Sequence, residues 1–422
     1  MRTKCLSIMS LTLILHIICG GYSIHAQEST DFYTISGVVK DQKTNKKVEY
    51  VNVSAVGTTV GTVTNEDGEF ALKLDNSLRV TEIQLSCVGY YNTRISISKS
   101  DKLNQTFYIN SQSFLLSEVE VFSWQNPRDL VKAAAAKIAD NYSNTPNMLT
   151  GFYRETIQKR RKYITISEAV LHVYKTGYES SINNDRIQIL KGRRLMSPKA
   201  GDTLSVKLLG GPNMTVFLDI VKNLDILLSD EMLQFYSYKM GEATLINDKL
   251  HYVVQFQPQV TLPIPLYSGV YYIDRETLAF TRAEFSLDMS DKLKVTDMIL
   301  RTKPRGLRFS PEEVSSVVTY KQYNGKSYLN YVRNEIQFKC DWKRRLFATN
   351  YSVINESVIT DIRENNVEKI PSRDAFSANH SLSEEVSAYF DEDFWGSYNI
   401  IEPTESLENA VNKLRKLQHS TQ

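Results

Sequence analysis

Val314-Ser-Ser-Val-Val-Thr-Tyr-Lys-Gln-Tyr-Asn-Gly-Lys-Ser-Tyr-Leu-Asn-Tyr-Val-Arg-Asn-Glu-Ile-Gln-Phe-Lys-Cys-Asp341 decides the architecture of the larger part of this chain. Asn324-Gly325 suits the two-residue turn whose central positions need positive φ. Val314 to Tyr323 therefore pairs back on Lys326 to Asp341 as a long antiparallel hairpin. The same pattern repeats on both sides. Tyr236 to Ile246 faces Lys249 to Gln257 across Asn247-Asp248, and Gly269 to Ile273 faces Leu278 to Leu287 across Asp274 to Thr277. Phe347 to Ile362 adds one strand, and Gly151-Phe-Tyr-Arg-Glu155 and Tyr163 to Tyr174 are strand-patterned upstream. Sequential antiparallel strands of this length predict a strongly curved sheet, an unclosed half-barrel with helices in its concave side.

Helical spacing marks three segments. Asn126 caps the first, with Pro127 in the opening turn, Asp129 near the positive end, and Leu130, Ala134, Ile138 and Tyr142 on one face; it is expected over 127–143. The second is expected over 213–229, where Val216/Phe217, Ile220/Val221, Leu224 and Leu227/Leu228 form an apolar stripe and Asp219, Lys222, Asp225 and Ser229 lie elsewhere. Thr404 caps the third, 404–418, with Leu407, Ala410/Val411, Leu414 and Leu417 facing inward. Just before it, Phe390, Phe394, Trp395 and Tyr398 are expected to pin the tail onto the sheet.

Upstream of the linker 123–126 the rhythm is shorter. Between Thr34 and Phe122 about seven short strands alternate with turns, Glu118 to Phe122 closing the series. Tyr50, Val51, Val53 and Ala55, like Phe70, Leu72 and Leu74, repeat every second residue, and Asp67-Gly68 supplies a tight hairpin. Residues 27–122 read as a β-sandwich. The fold class is mainly β: a seven-stranded sandwich followed by a larger α+β domain, 127–422, with two or three helices.

Ile35-Ser-Gly-Val-Val-Lys-Asp41, Val48-x-x-Val-x-Val53, Gly61-Thr-Val-Thr-Asn-Glu-Asp-Gly-Glu-Phe70 and Val88-Gly-Tyr90 occur in that order. Together they resemble the carboxypeptidase-regulatory-like domain, a transthyretin-like sandwich widespread in Gram-negative envelope proteins. The resemblance implies a fold; it implies no catalytic domain. With Asn126-Pro127, Gly151-Phe-Tyr-Arg-Glu155 and Phe394-Trp-Gly-x-Tyr-Asn-Ile-Ile-Glu-Pro403, the whole chain resembles a recurrent family of exported Bacteroidetes-type envelope proteins to which no function is attached. In the order of its elements the larger domain is similar to periplasmic lipoprotein carriers.

The amino terminus reads as an address. Arg2 and Lys4 precede the apolar run Leu6 to Cys19, too short to span a bilayer, and Ser23-Ile-His-Ala26 suits cleavage. Residues 1–26 are expected to be a signal peptide. Cys19 offers lipidation as a rival, which Ile18 disfavours because the lipoprotein signal peptidase takes a small residue there. No later run has the length and apolarity of a membrane span. Against 48 acidic side chains the chain has 50 basic ones, two of them in this segment, so the remainder is neutral and poorly suited to nucleic acid. Cys87 and Cys340 then remain, two distant thiols rather than a disulfide framework.

Chemistry is harder to find. His172, His251, His380 and His419 begin no zinc-binding spacing, and no Gly-x-Ser-x-Gly elbow, phosphate-binding loop or activated cysteine occurs. Asn65-Glu-Asp-Gly-Glu69 is a hairpin turn rather than a calcium loop. Lys159-Arg-Arg-Lys162 and Lys343-Arg-Arg345 read either as contacts for anionic lipid or as solvated turns. Tyr271-Tyr272 and Tyr320, Tyr323, Tyr328 and Tyr331 read as strand formers before they read as a sugar platform. No catalytic, cofactor-binding or metal-ligating residue is selected, and no cofactor is expected. The expectation is a non-catalytic adaptor or interaction module in the periplasm or at the outer membrane, with a protein partner. A lipid or lipoprotein carrier and a glycan-binding module are the alternatives.

Overall fold

The computed structural model describes residues 31–112, 124, 126–343, 347–377, 380–386 and 394–419. The signal segment, Cys19, the strand expected at Glu118 to Phe122, Arg344-Arg345 and Phe390 lie outside them.

Seven short strands open the chain: β1 (Phe32–Asp41), β2 (Asn52–Ala55), β3 (Gly61–Val63), β4 (Glu69–Asp75), β5 (Glu82–Ser86), β6 (Thr93–Ser96) and β7 (Lys102–Ile109). They form two sheets, ordered β4-β1-β7 and β3-β2-β5-β6. The period-two residues Val53, Ala55, Phe70, Leu72 and Leu74 meet Ile35, Val39, Ile83, Leu85 and Ile109 in one core. Between β3 and β4, Asn65 Oδ1 accepts from the N–H groups of Asp67 and Glu69, both at 2.9 Å, and Gly68 takes φ +69°. The acidic loop is a turn.

The second unit supplies β8 (Asn147–Lys159), β9 (Lys162–Lys175), β10 (Arg186–Met196), β11 (Lys207–Leu208), β12 (Tyr236–Met240), β13 (Thr244–Ile246), β14 (Lys249–Pro258), β15 (Tyr267–Asp274), β16 (Phe280–Leu287), β17 (Leu300–Thr302), β18 (Leu307–Tyr323), β19 (Lys326–Trp342) and β20 (Thr349–Arg363). Eleven of these form one open antiparallel sheet, β10-β9-β8-β20-β19-β18-β16-β15-β14-β12, with β13 also paired to β14. The Asn324-Gly325 turn stands where expected, at φ 48° and 76°, joining two 17-residue strands. The last strand, β20, is inserted between β8 and β19.

The inner face is covered by α1 (Pro127–Ala136), α2 (Ile138–Asn141), α3 (Asn213–Phe217), α4 (Lys292–Ile299) and α5 (Leu382–Glu385). Leu130, Val131, Ala134, Val216, Val295 and Leu382 from these segments join Tyr153, Leu171, Tyr271, Phe285 and Val318 of the sheet in one core. The outer face carries the sandwich, the tail and α6 (Glu405–His419). Phe152, Val170, Tyr331 and Val358 meet Val63, Phe394, Trp395, Ile400 and Ile401 there, and Leu407 and Leu414 of α6 rest on Ile166 and Leu195. Lys321 Nζ donates to Thr59 O at 3.0 Å and Arg333 to Glu66 at 3.0 Å, while Asn65 Nδ2 donates to Pro403 O at 3.1 Å. The sandwich is clamped to the sheet, with residues 394–403 as the packing between them.

Two helices depart from expectation. The segment over 127–143 breaks at Lys137 (φ −89°, ψ 3°), and Tyr142 leaves it extended to donate from its hydroxyl to Phe280 O at 2.6 Å. The segment over 213–229 is not one helix. Only Asn213–Phe217 is α-helical, and a 3-10 turn follows at Leu224–Ile226. The cause is burial of its polar side. Asp219, fully buried, accepts from Lys175 Nζ at 2.5 Å and Tyr320 OH at 2.8 Å, and the buried Lys222 donates to Thr176 O at 3.1 Å. A regular helix would have turned these side chains away from the apolar stripe; the chain unwinds so that Asp219 and Lys222 are buried together with Val216, Ile220, Val221, Leu227 and Leu228, leaving Phe217 and Leu224 exposed.

Candidate functional site

Gly151-Phe-Tyr-Arg-Glu155 lies on β8, and alternation along a strand sends successive side chains to opposite faces. Phe152 and Arg154 go outward, Tyr153 and Glu155 inward. A Cβ at Gly151 would come within 3.0 Å of Val358 O and 3.2 Å of Ile359 Cδ1, so the neighbouring strand packs where only glycine fits easily.

On the outer face Arg154 is fully engaged. It donates to Glu168 at 2.8 Å, Glu356 at 3.3 Å and Ile401 O at 2.7 Å, and Arg193 donates to the second oxygen of Glu168 at 2.7 Å. Burial alone would raise the Glu168 carboxyl, but Arg154 and Arg193 more than offset this and hold it below the usual range.

The inner face is different. Cross-strand register places Ser316, Asn334, Asn355, Glu155 and Ser167 opposite one another on β18, β19, β20, β8 and β9. All five are buried. Ser316 donates to Asn334 Oδ1 at 3.1 Å, and the Tyr153 hydroxyl stands 3.0 Å from Asn355 Oδ1 and 3.3 Å from Glu155 Oε2. Asn334 Nδ2, Asn355 Nδ2 and Ser167 Oγ have no partner among the described residues. Burial pushes the Glu155 carboxyl up to about 7, with Tyr153 and the N–H groups of Gly211 and Leu382 opposing the rise.

Two adjoining clefts open over this row. One, of about 190 Å³, lies over Glu155 and Asn355 and is walled by Leu204, Leu208 and Gly210. The other, of about 120 Å³, lies over Ser316 and Asn334 beside Met214, Phe217 and Ile299. Leu209 lines both. The second carboxylate on the walls, Glu384, is held by Lys207 at 2.5 Å and accepts from Ser381 N at 3.0 Å in its own helix cap. The row offers two amide groups, a carboxyl that titrates near neutrality and apolar walls.

The other sequence candidates are brought to no common site. Among the described residues no group of His, Cys, Asp and Glu could hold a metal ion. His251 is buried with Nδ1 2.8 Å from Lys249 O, and burial lowers its pKa; His380 pairs with Glu385. Cys87 and Cys340 are free thiols, and burial pushes both up to about 11, away from reactivity. Tyr271, Tyr320, Tyr328 and Tyr331 are buried in the sheet, so they form no exposed platform. Lys159 to Lys162 forms the tip of the β8–β9 hairpin. In the sequence Glu155 stands out only as part of a strand motif. Its signal was alternation: neighbouring opposite charges in an apolar strand must go to different faces.

Among the described residues no helix is long and apolar enough to cross a membrane. No protein with a curated description matches the chain. Three solved structures are similar in part. An outer membrane lipoprotein-sorting protein domain from Vibrio parahaemolyticus is 12% identical over 58% of this chain and 96% of its own, with TM-score 0.26. A DUF1329 family protein from Desulfovibrio piger is 13% identical over 58% and 95%, with TM-score 0.25. A membrane-associated protein of unknown function from Bacteroides fragilis is 10% identical over 78% and 98%, with TM-score 0.15. At these scores the likenesses carry no functional argument. The sandwich does have a family: residues 35–121 match the CarboxypepD_reg-like domain, and the chain therefore joins a domain of that family to the curved sheet that carries the cleft.

Proposed function

We propose that this is a non-catalytic binding protein of the cell envelope, exported to the periplasm or the outer membrane, and that the inner-face cleft holds its ligand. The observation that carries the reading is the row of buried polar atoms left without partners beneath apolar walls. An unsatisfied buried donor costs about 1–3 kcal/mol. A row of them is retained where something else completes it. The matching ligand is a slender amphiphile with hydrogen-bond acceptors at one end, such as ester or amide carbonyls, and an apolar portion lying beside Met214, Phe217 and Ile299.

Its size is bounded. Volumes of about 190 and 120 Å³ fall below the roughly 300–1,000 Å³ of ordinary ligand pockets. Acyl chains of a whole lipid would require the segment around Leu209 to swing away. A second reading, a protein adaptor, is favoured by the sandwich being clamped to the sheet while β7, at the edge of its sheet among the described residues, leaves Leu103 and Tyr108 exposed.

Native mass spectrometry of the protein purified from envelope distinguishes the two, using Leu209→Trp to fill the junction of the clefts. The expected result is a bound small amphiphile in the native protein and none in the variant. An empty native protein that captures the same protein partner whether or not Leu209 is replaced would overturn the ligand reading in favour of the adaptor.

A further inference from the structure

The tip of the β8–β9 hairpin and helix α6 enclose a separate cleft of about 720 Å³ on the outer side of the sheet. Six cations line it: Lys159, Arg160, Arg161, Lys162, Lys199 and Lys413. Asp202, the one carboxylate among its lining residues, is already satisfied by Ser197 Oγ at 2.7 Å and Lys159 Nζ at 3.3 Å. The other five cations form no ion pair with a described residue, in a chain whose overall charge is close to neutral. The floor is apolar, made by Tyr163, Ile164, Leu414 and Leu417.

The turn itself is a second observation. Arg160 and Arg161 are its two central residues, at φ 48° and 64°, the geometry for which Asn-Gly is the favoured pair. A side chain longer than glycine's is strained there. The hairpin retains two arginines at the place where folding favours them least, and both line the cleft. Strain held at an exposed charged site points to use of that charge.

We propose that this cleft binds the phosphate-bearing headgroup of an anionic membrane lipid, with the first part of its acyl chains on the Tyr163–Leu414–Leu417 floor. Guanidinium forks match phosphate oxygens in pairs, the lysines neutralise the remaining charge, and the apolar floor distinguishes a lipid from a free anion. The site is independent of the inner-face cleft, on the opposite face of the same hairpin.

The test is co-sedimentation of the whole chain with phosphatidylcholine vesicles, with and without phosphatidylglycerol. Arg160→Asn/Arg161→Gly gives the turn its favoured residues while removing two charges. Lys46→Gln/Lys239→Gln removes the same charge from exposed positions on the sandwich and on β12. The native protein is expected to sediment only with the anionic vesicles. The arginine pair variant should bind on the order of twentyfold more weakly, about fivefold per charge, and melt no lower than the native protein. The lysine control should bind normally. Indifference of the native protein to phosphatidylglycerol would overturn the proposal, as would equal losses in both variants. Displacement by millimolar inorganic phosphate would also overturn it, assigning the cleft to a free anion. Leu209→Trp is expected to leave this binding unchanged, so failure here and failure of the inner-face ligand reading are separable.

Discussion

Arg154 and Glu155 are neighbours in sequence, both buried, and face opposite sides of β8. The arginine meets two carboxylates and a carbonyl; the glutamate meets one shared hydroxyl and backbone N–H groups, beside amides that have no partner. The contrast teaches where stability ends and use begins. On the outer face the carboxylates and the carbonyl around Arg154 are paired and bind the tail, while the indole N–H of Trp395 packed beside Phe152 has no partner among the described residues. The inner face leaves its polar row incomplete, at a cost in stability that a purely structural sheet would avoid by placing apolar residues there.

The sharpest way to break this comparison is Arg154→Met. It leaves Glu168 buried beside Arg193 alone and releases Ile401 O. Urea denaturation should show a loss of about 3–5 kcal/mol, the range for breaking one side of a buried pair. A loss below about 1 kcal/mol would mean that the outer cluster is not the structural half of the pair.

Glu155→Gln tests the other half, and its effect depends on pH. Burial holds the folded carboxyl at about 7, above its ordinary value of 4.5. Its favourable contribution is complete below about 4.5 and is lost as pH rises through 7. The glutamine variant should match the native protein near pH 4.5 and exceed it by up to about 3 kcal/mol above pH 7. Parallel denaturation curves at both pH values would remove the claim that Glu155 is held against its preferred state.

The smallest effect is expected from Ser316→Ala/Asn334→Leu, which replaces one end of the row by apolar groups. Removing both members of the pair leaves neither orphaned, so the protein should gain about 1 kcal/mol. The bound amphiphile should be lost in the same variant when native mass spectrometry is repeated. A loss of stability would show that Asn334 serves the fold rather than a ligand.

Much of the fold was legible because its signals are local. Asn324-Gly325 fixed a hairpin, Asp67-Gly68 a turn, and Thr404 caps α6 by accepting from Leu407 N at 3.2 Å. The segment over 213–229 misled because its apolar stripe is helical while Asp219 and Lys222 find partners on strand β9 and the turn after it, information absent from the segment itself. The inner row was invisible for a related reason. Asn355 lies opposite Glu155 only because β20 enters the sheet between β8 and β19. No spacing within one strand announces a row assembled from five.

The tail wedged between sandwich and sheet has a kinetic consequence. Thr62 donates to Ile400 O at 2.9 Å and Asn399 exchanges two hydrogen bonds with Lys73, pairing residues more than 300 positions apart. Contacts of such separation form late, after most of the loop entropy has been spent. The sandwich can collapse early around its own core, but its seat on the sheet is incomplete until residues 394–403 have been made. The joint between the two units is therefore completed late, after the sandwich and the strands it rests on have formed.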